Sequence, residues 1–227
     1  MTKPADVSRP YWKIRNYAPD PDFNPPSWRR SDANLTRFFR FPDQFVRLRA
    51  HLLEIIPTTP VIRILSAGAA TGEEAISALI VVLQTIEETR EVNPELPPLR
   101  LEVVAVDINQ ENIAAFEANE YWLCPKRAPQ LAAWEIYFDR LPGNESDAEH
   151  FRVSLKPEFQ RMITYVKANL GSLAQLKRLK QDYGQAGFTA VFFNVVAMYM
   201  TRSAGEQAKH ALKTAFLAPG GKFLSTA

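Results

Sequence analysis

The chain has 227 residues, 46% of them hydrophobic and 23% charged, with a net charge of +2 at neutral pH. That length can bury the core of one domain with an appendage, and the near-balanced charge carries no nucleic-acid or membrane-surface signal. A single cysteine, Cys124, excludes an internal disulfide, and three scattered histidines leave no metal site expected. A reducing cytoplasm fits this usage. The N-terminal MTKPADVSRP lacks the apolar stretch of a signal peptide, and the apolar run at 75–83 is too short to cross a bilayer, so no membrane insertion is expected.

Residues 1–30 alternate prolines (Pro4, Pro10, Pro19, Pro21, Pro25, Pro26) with Tyr11, Trp12, Tyr17, Phe23 and Trp28. Proline bars helix here, which predicts an extended arm that either packs its aromatics on the body or binds a partner. Residues 31–56 read as helical, with Ser31 or Asp32 as the cap, apolar positions recurring at helical spacing, and Pro42 dividing the segment in two. By residue pattern alone, Asn34, Thr36 and Arg40 form a solvated helix face.

The stretch 62–74, IRILSAGAATGEE, organises the rest. A β-branched and leucine run meets a loop of small residues, and a helical pattern follows at once. The spacing predicts a strand, a tight turn and a helix N-terminus whose first amides face a ligand. Gly68 and Gly72 are spaced G-x-x-x-G, which departs from the dinucleotide fingerprint. A ligand loop and a plain small-residue turn both remain open at this point.

An amphipathic helix is predicted over 74–90, then a strand over 101–106 with Asp107 at its carboxyl end. Ligands of doubly wound sheets bind at such ends, where an acid accepts hydrogen bonds from two ribose hydroxyls. The competing role is a cap for the helix at 110–119, a task Asn109 can also do. Residues 121–147 read as irregular with one short helix near 130–137, and 151–162 as a connector. A third strand at 163–167 ends at Asn169-Leu170. A basic amphipathic helix at 173–183 reads as a solvated face, and 189–196 as a buried central strand. Met198-Tyr199-Met200 follow it. A helix at 204–217 stops at Pro219-Gly220-Gly221, and a fifth strand begins at 222–225. Alternating strands and helices predict an α/β, doubly wound, mostly parallel, Rossmann-like sheet. Strand order is not legible in this pattern.

NLTRFFR, SAGAATGEE, AVDIN, KANL, VFFNVVAMYM and LAPGGKFL occur in that order. Together they resemble the CheR-type chemotaxis methyltransferases, which are class I enzymes that use S-adenosylmethionine (SAM) to esterify receptor glutamates. The resemblance covers about residues 31–225, and NLTRFFR with TGEE is its most specific part. It implies residues 31–60 as helices covering the cofactor and 61–227 as the SAM-binding domain. It implies cofactor contacts from Asn34, Thr36 and Arg40 (the last toward the methionine carboxylate), from Ala67, Gly68 and neighbours, and from Glu73 toward the ammonium. It further implies Asp107 on the ribose, Asn169 and Leu170 beside the adenine, and Tyr199 near the transferred methyl. The product would be S-adenosylhomocysteine (SAH).

The departures matter as much. The family's Arg-Asn pair before V-x-x-Y is here Asn194-Val195, which removes a cation and an amide beside the transfer site. Asn194 and Tyr199 are the residues placed nearest the chemistry. The residue after FFR, usually acidic, is Phe41. The family's larger N-terminal helical domain is replaced by the proline-rich arm, no counterpart of its inserted β-subdomain is expected, and the sheet is expected to lack its last two strands. That leaves an open edge for the arm, a second copy or a further segment to cover. A carboxylate acceptor is already ionised at neutral pH and needs positioning rather than a strong base. The expectation is therefore a SAM-dependent methyltransferase acting on a protein glutamate or signalling partner. The alternatives are a non-catalytic SAM- or SAH-binding module acting through partners, and a small-molecule methyltransferase.

Overall fold

A computed structural model describes residues 36–124, 128–142 and 151–226. The proline-rich arm, the expected caps Ser31 and Asp32, and Asn34 lie outside the described residues.

Five parallel strands form the central sheet in the order β6-β2-β1-β7-β8: β1 is Val61–Ala67, β2 Arg100–Asp107, β6 Ile163–Lys167, β7 Phe188–Phe193 and β8 Leu217–Ser225. Residues alternate between its faces as the strand period of two requires. Ile62 and Ile64 of β1 and Ala190 and Phe192 of β7 point into one core layer, and Leu65, Ala67, Val191 and Phe193 into the other. All six residues of β7 are buried, as its uninterrupted apolar and β-branched run predicts for a central strand.

The first layer holds helix α1 (Pro42–Ile55) and helix α2 (Glu73–Val92). The second holds α5 (Leu173–Tyr183) and α6 (Arg202–Ala211), through Leu176, Leu179 and Ala208, with Leu212 just past α6. The small helix α3 (Gln110–Ala118) follows β2, capped by the Asn109 side chain, which accepts from the Glu111 amide at 2.9 Å, and the one-turn helix α4 (Pro157–Gln160) precedes β6. The cap is thus Asn109, and Asp107 has other work.

Three expectations need correction. Residues 36–41 form turns, with helix beginning only at Pro42, an N1 position suited to proline. Phe39 has φ 52°, which no helix accommodates, and its amide donates to Ser77 Oγ at 3.0 Å instead of to a helical carbonyl. The described residues of the expected irregular stretch (121–147) and connector (151–162) carry regular structure, including two short 3-10 turns, Pro129–Leu131 and Trp134–Ile136, in place of the one short helix near 130–137. Between α3 and β6 they build a three-stranded antiparallel sheet, β3 (Tyr121–Leu123), β5 (Phe151–Leu155) and β4 (Phe138–Arg140) in that order, so the chain carries an inserted β-unit where none was expected. β3 and β4 are too short to show a period, whereas Phe151–Leu155 alternates apolar and polar residues as a half-buried strand does; the sheet buries Tyr121, Leu123, Phe138, Phe151, Val153 and Leu155 in the first core layer. Finally, Pro219-Gly220-Gly221 does not precede the last strand but lies within β8. Between the pairs Phe188↔Leu217 and Ala190↔Lys222, β8 takes up the extra residues as a bulge.

Candidate functional site

A cleft of about 260 Å³ opens at the carboxyl ends of β1, β2 and β7, the place where open α/β sheets bind ligands. Its walls come from the turn before α1 (Thr36, Arg40, Phe41), the loop after β1 with Glu74 of α2, the end of β2 with Asn112 of α3, and the loop after β7.

The turn is held by its two phenylalanines. Phe38 packs edge-on against Tyr121 and Phe138, with ring centroids 5.7 and 5.4 Å apart. Phe39 packs on Phe45 of α1 at 5.0 Å. With both buried, the polar residues on either side, Thr36 and Arg40, are left at the cleft. Arg40 lies 5.1 Å over the Phe41 ring.

The loop after β1 runs through three left-handed residues, Gly68 (φ 89°), Ala70 (φ 48°) and Gly72 (φ 99°). A Cβ on Gly68 would sit 2.7 Å from Val196, and one on Gly72 2.6 Å from Phe116, so the chain's own side chains fill the space both glycines leave. Successive left-handed turns can make an anion cradle, but here the amides are spent internally. Gly68 and Ala69 donate to the Val106 carbonyl at 2.8 and 2.9 Å, Ala70 to Asp107 Oδ2 at 2.9 Å, and Gly72 to the Ala69 carbonyl at 2.9 Å. This arrangement disfavours a phosphate ligand.

Asp107 is thus a structural hub as well as a lining residue. Its Oδ1 accepts from the Asn109 amide at 2.9 Å and from Asn112 Nδ2 at 3.1 Å. Asn112 is buried, and its Oδ1 has no hydrogen-bond partner among the described residues. The Tyr165 hydroxyl donates to the Ala70 carbonyl and pins the loop from below. Burial, with Asp107 and Glu73 nearby, pushes that hydroxyl's pKa far up, so it remains a donor.

At the far wall, Glu74 accepts from Ser66 Oγ and from Asn194 Nδ2, each at 2.7 Å. Desolvation raises its pKa above the usual carboxylate value, against those two hydrogen bonds and the pull of Arg40. Val195 follows in the left-handed region at φ 65°, an uncommon conformation for a β-branched residue. Tyr199 stands half exposed at the mouth.

The structure brings Thr36, Arg40, Gly68, Asp107, Asn194, Val195 and Tyr199 together in one cleft. Four expected residues are not among its lining. Ala67 and Leu170 are buried in the layer under α5 and α6. Asn169 turns its Oδ1 onto the Gly171 amide at 2.9 Å. Glu73, only 2% exposed, is held by Thr71 Oγ1 at 2.5 Å. Adjacent helical residues lie about 100° apart, so one acid of TGEE at most faces the cleft, and it is Glu74. Sequence reasoning also missed Ile108, an exposed apolar side chain directly after Asp107, and Asn112. The only sequence signal for Ile108 is an apolar residue at a strand's carboxyl end.

The family model described as CheR methyltransferase, SAM binding domain, matches residues 34–221. No curated protein matches by sequence. Among solved structures, a possible exported protein from Bordetella parapertussis is 14% identical with TM-score 0.40, covering 83% of this chain and 44% of its own. A geranyl diphosphate methyltransferase in complex with GPP and sinefungin is 13% identical with TM-score 0.37, at 81% and 43% coverage. MnmC2 from Aquifex aeolicus is 22% identical with TM-score 0.37, at 80% and 48%. The chain therefore spans less than half the length of each.

Proposed function

Since the chain belongs to the CheR methyltransferase family through its SAM-binding domain, we propose that its cleft binds SAM and that the protein transfers a methyl group to a glutamate carboxylate of a protein. The observation that carries the reading is the arrangement of Arg40, Glu74 and Asp107 around one cleft whose loop amides are already satisfied. That set complements a zwitterionic amino-acid end and a ribose diol without phosphate, so the residues present fit the cofactor. When bound, SAM supplies a methyl group activated on a sulfonium.

The chain's own residues then have distinct tasks. Arg40 pairs with a carboxylate. Glu74 takes the ammonium in place of Glu73, because its carboxylate is the one at the cleft. Asp107 has one acceptor position left on Oδ2 beside the Ala70 amide, and it receives a ribose hydroxyl there. Ile108 offers an apolar surface for a flat base. Tyr199, at the mouth, orients the acceptor by its hydroxyl. An ionised carboxylate needs no base, so alignment at near-attack distance carries the rate.

The test is incubation with methyl-labelled SAM and candidate acidic proteins. Label released by mild alkali as methanol marks a carboxyl ester and supports the reading, whereas alkali-stable label transfers the activity to another acceptor class. A second reading, a SAM- or SAH-binding module without turnover, is favoured by one observation. Asn194, standing where the family carries Arg, has its whole amide engaged within the protein. Ligand binding with no transfer to any acceptor would select it.

A further inference from the structure

Behind the cleft wall, Gln44, which the proposed chemistry does not use, is hydrogen-bonded to a residue that lines it. Gln44, in the first turn of α1, and Asn194, just past β7, are 6% and 8% exposed. Their side-chain amides pair reciprocally, Gln44 Nε2 donating to Asn194 Oδ1 at 2.8 Å and Asn194 Nδ2 to Gln44 Oε1 at 2.8 Å. Asn194 Oδ1 also accepts from the Thr226 amide at 2.8 Å, and its Nδ2 also donates to Glu74 Oε2 at 2.7 Å.

Two donors and two acceptor positions are all that such an amide has, so Asn194 is saturated. Its orientation is forced as well. The Thr226 backbone N–H can only donate, so it fixes Oδ1, leaves Nδ2 toward Glu74, and sets the sense of Gln44. Half of the bonds on Asn194 come from Gln44.

We propose that Gln44 is a positioning residue for the cationic end of the ligand, acting through Asn194 to hold the Glu74 carboxylate at the cleft. This rests on the reading of the cleft as a SAM site. Around Glu74, α1 contributes Gln44 one step away, β1 contributes Ser66 and the β7 end contributes Asn194, all neutral, while Arg40 acts on it from the turn before α1. The hydrogen bonds that Glu74 accepts come from neutral donors, which leaves the place of a contacting cation to a ligand ammonium.

The test compares two ligands by calorimetric titration. SAH carries the ammonium, and 5′-methylthioadenosine has the same nucleoside and thioether without the amino-acid end. Gln44→Met keeps length and volume while removing the amide. The expected result is SAH binding weakened on the order of tenfold with methylthioadenosine within about twofold, the scale of one lost hydrogen-bonded restraint. Thr226→Pro removes the orienting N–H outside the strand ladder together with the Oγ1 that accepts from the Val195 amide at 3.3 Å, a bond that Thr226→Val removes alone; a selective loss in Thr226→Pro beyond that in Thr226→Val is expected in this second background. Equal weakening of both ligands, or unchanged SAH binding in the folded variants, overturns the inference. Failure of the unmodified chain to bind either ligand instead overturns the reading of the cleft.

Discussion

The backbone amide of Ala70 donates to Asp107 Oδ2 at 2.9 Å, tying the left-handed turn after β1 to the acid that ends β2. The residue expected to grip a ribose therefore also builds the loop beside it. Asp107→Asn places an N–H against one of three donors, those of Ala70, Asn109 and Asn112. A loss of about 1–3 kcal/mol in stability is expected, with SAH binding falling more than tenfold. Denaturant unfolding and titration on the same sample separate the two effects.

Val195 offers the opposite case. Its φ of 65° strains a β-branched residue, and asparagine adopts this region readily. Val195→Asn, which restores the family residue, is expected to raise the melting temperature by about 2–4 °C, the effect of ~1 kcal/mol in a domain of this size. A fall would show that apolar packing of Val195 outweighs the backbone strain.

These two sites show what the sequence could and could not carry. The place of Asp107 at the cleft was legible because it follows a continuous apolar strand run, and ligands of open α/β sheets bind at strand carboxyl ends. The strands themselves were legible from β-branched runs. Glu74 against Glu73 was not, because helical phase at a helix start depends on where the turn at Gly72 sets the first residue. The antiparallel sheet was hidden because strands of three residues, β3 and β4, show no period. The turn at 36–41 was hidden because its phenylalanines imitate helical spacing while their burial is set by Tyr121, Phe138 and Phe45.

Glu74 sets function against stability. Its pKa is raised in the folded chain from 4.5, mainly by desolvation. Between 4.5 and the folded value the folded state binds more protons than the unfolded one, so stability falls as pH rises through that window. Glu74→Gln is expected to raise the melting temperature of the ligand-free chain at neutral pH, with the gain shrinking as pH approaches 4.5, and to weaken SAH far more than methylthioadenosine. Melting curves across pH check the first part.

His51, on the buried face of α1, works in the other direction. Burial first, then the positive charge of Lys222 on β8, holds its pKa below 6.5, and Glu54 only partly offsets this. As pH falls through 6.5 the unfolded chain takes up a proton that the folded chain refuses, so stability declines down to the folded value. His51→Leu is expected to flatten this part of the melting-temperature profile as pH falls through 6.5.

The central claim is that the cleft at the carboxyl ends of β1, β2 and β7 is a cofactor site. Calorimetric titration of the purified chain with SAH tests it most directly. Saturable micromolar binding at one site per chain is expected, weakened more than tenfold in Asp107→Asn variants that remain folded. A well-folded chain that takes up neither SAH nor SAM would contradict it.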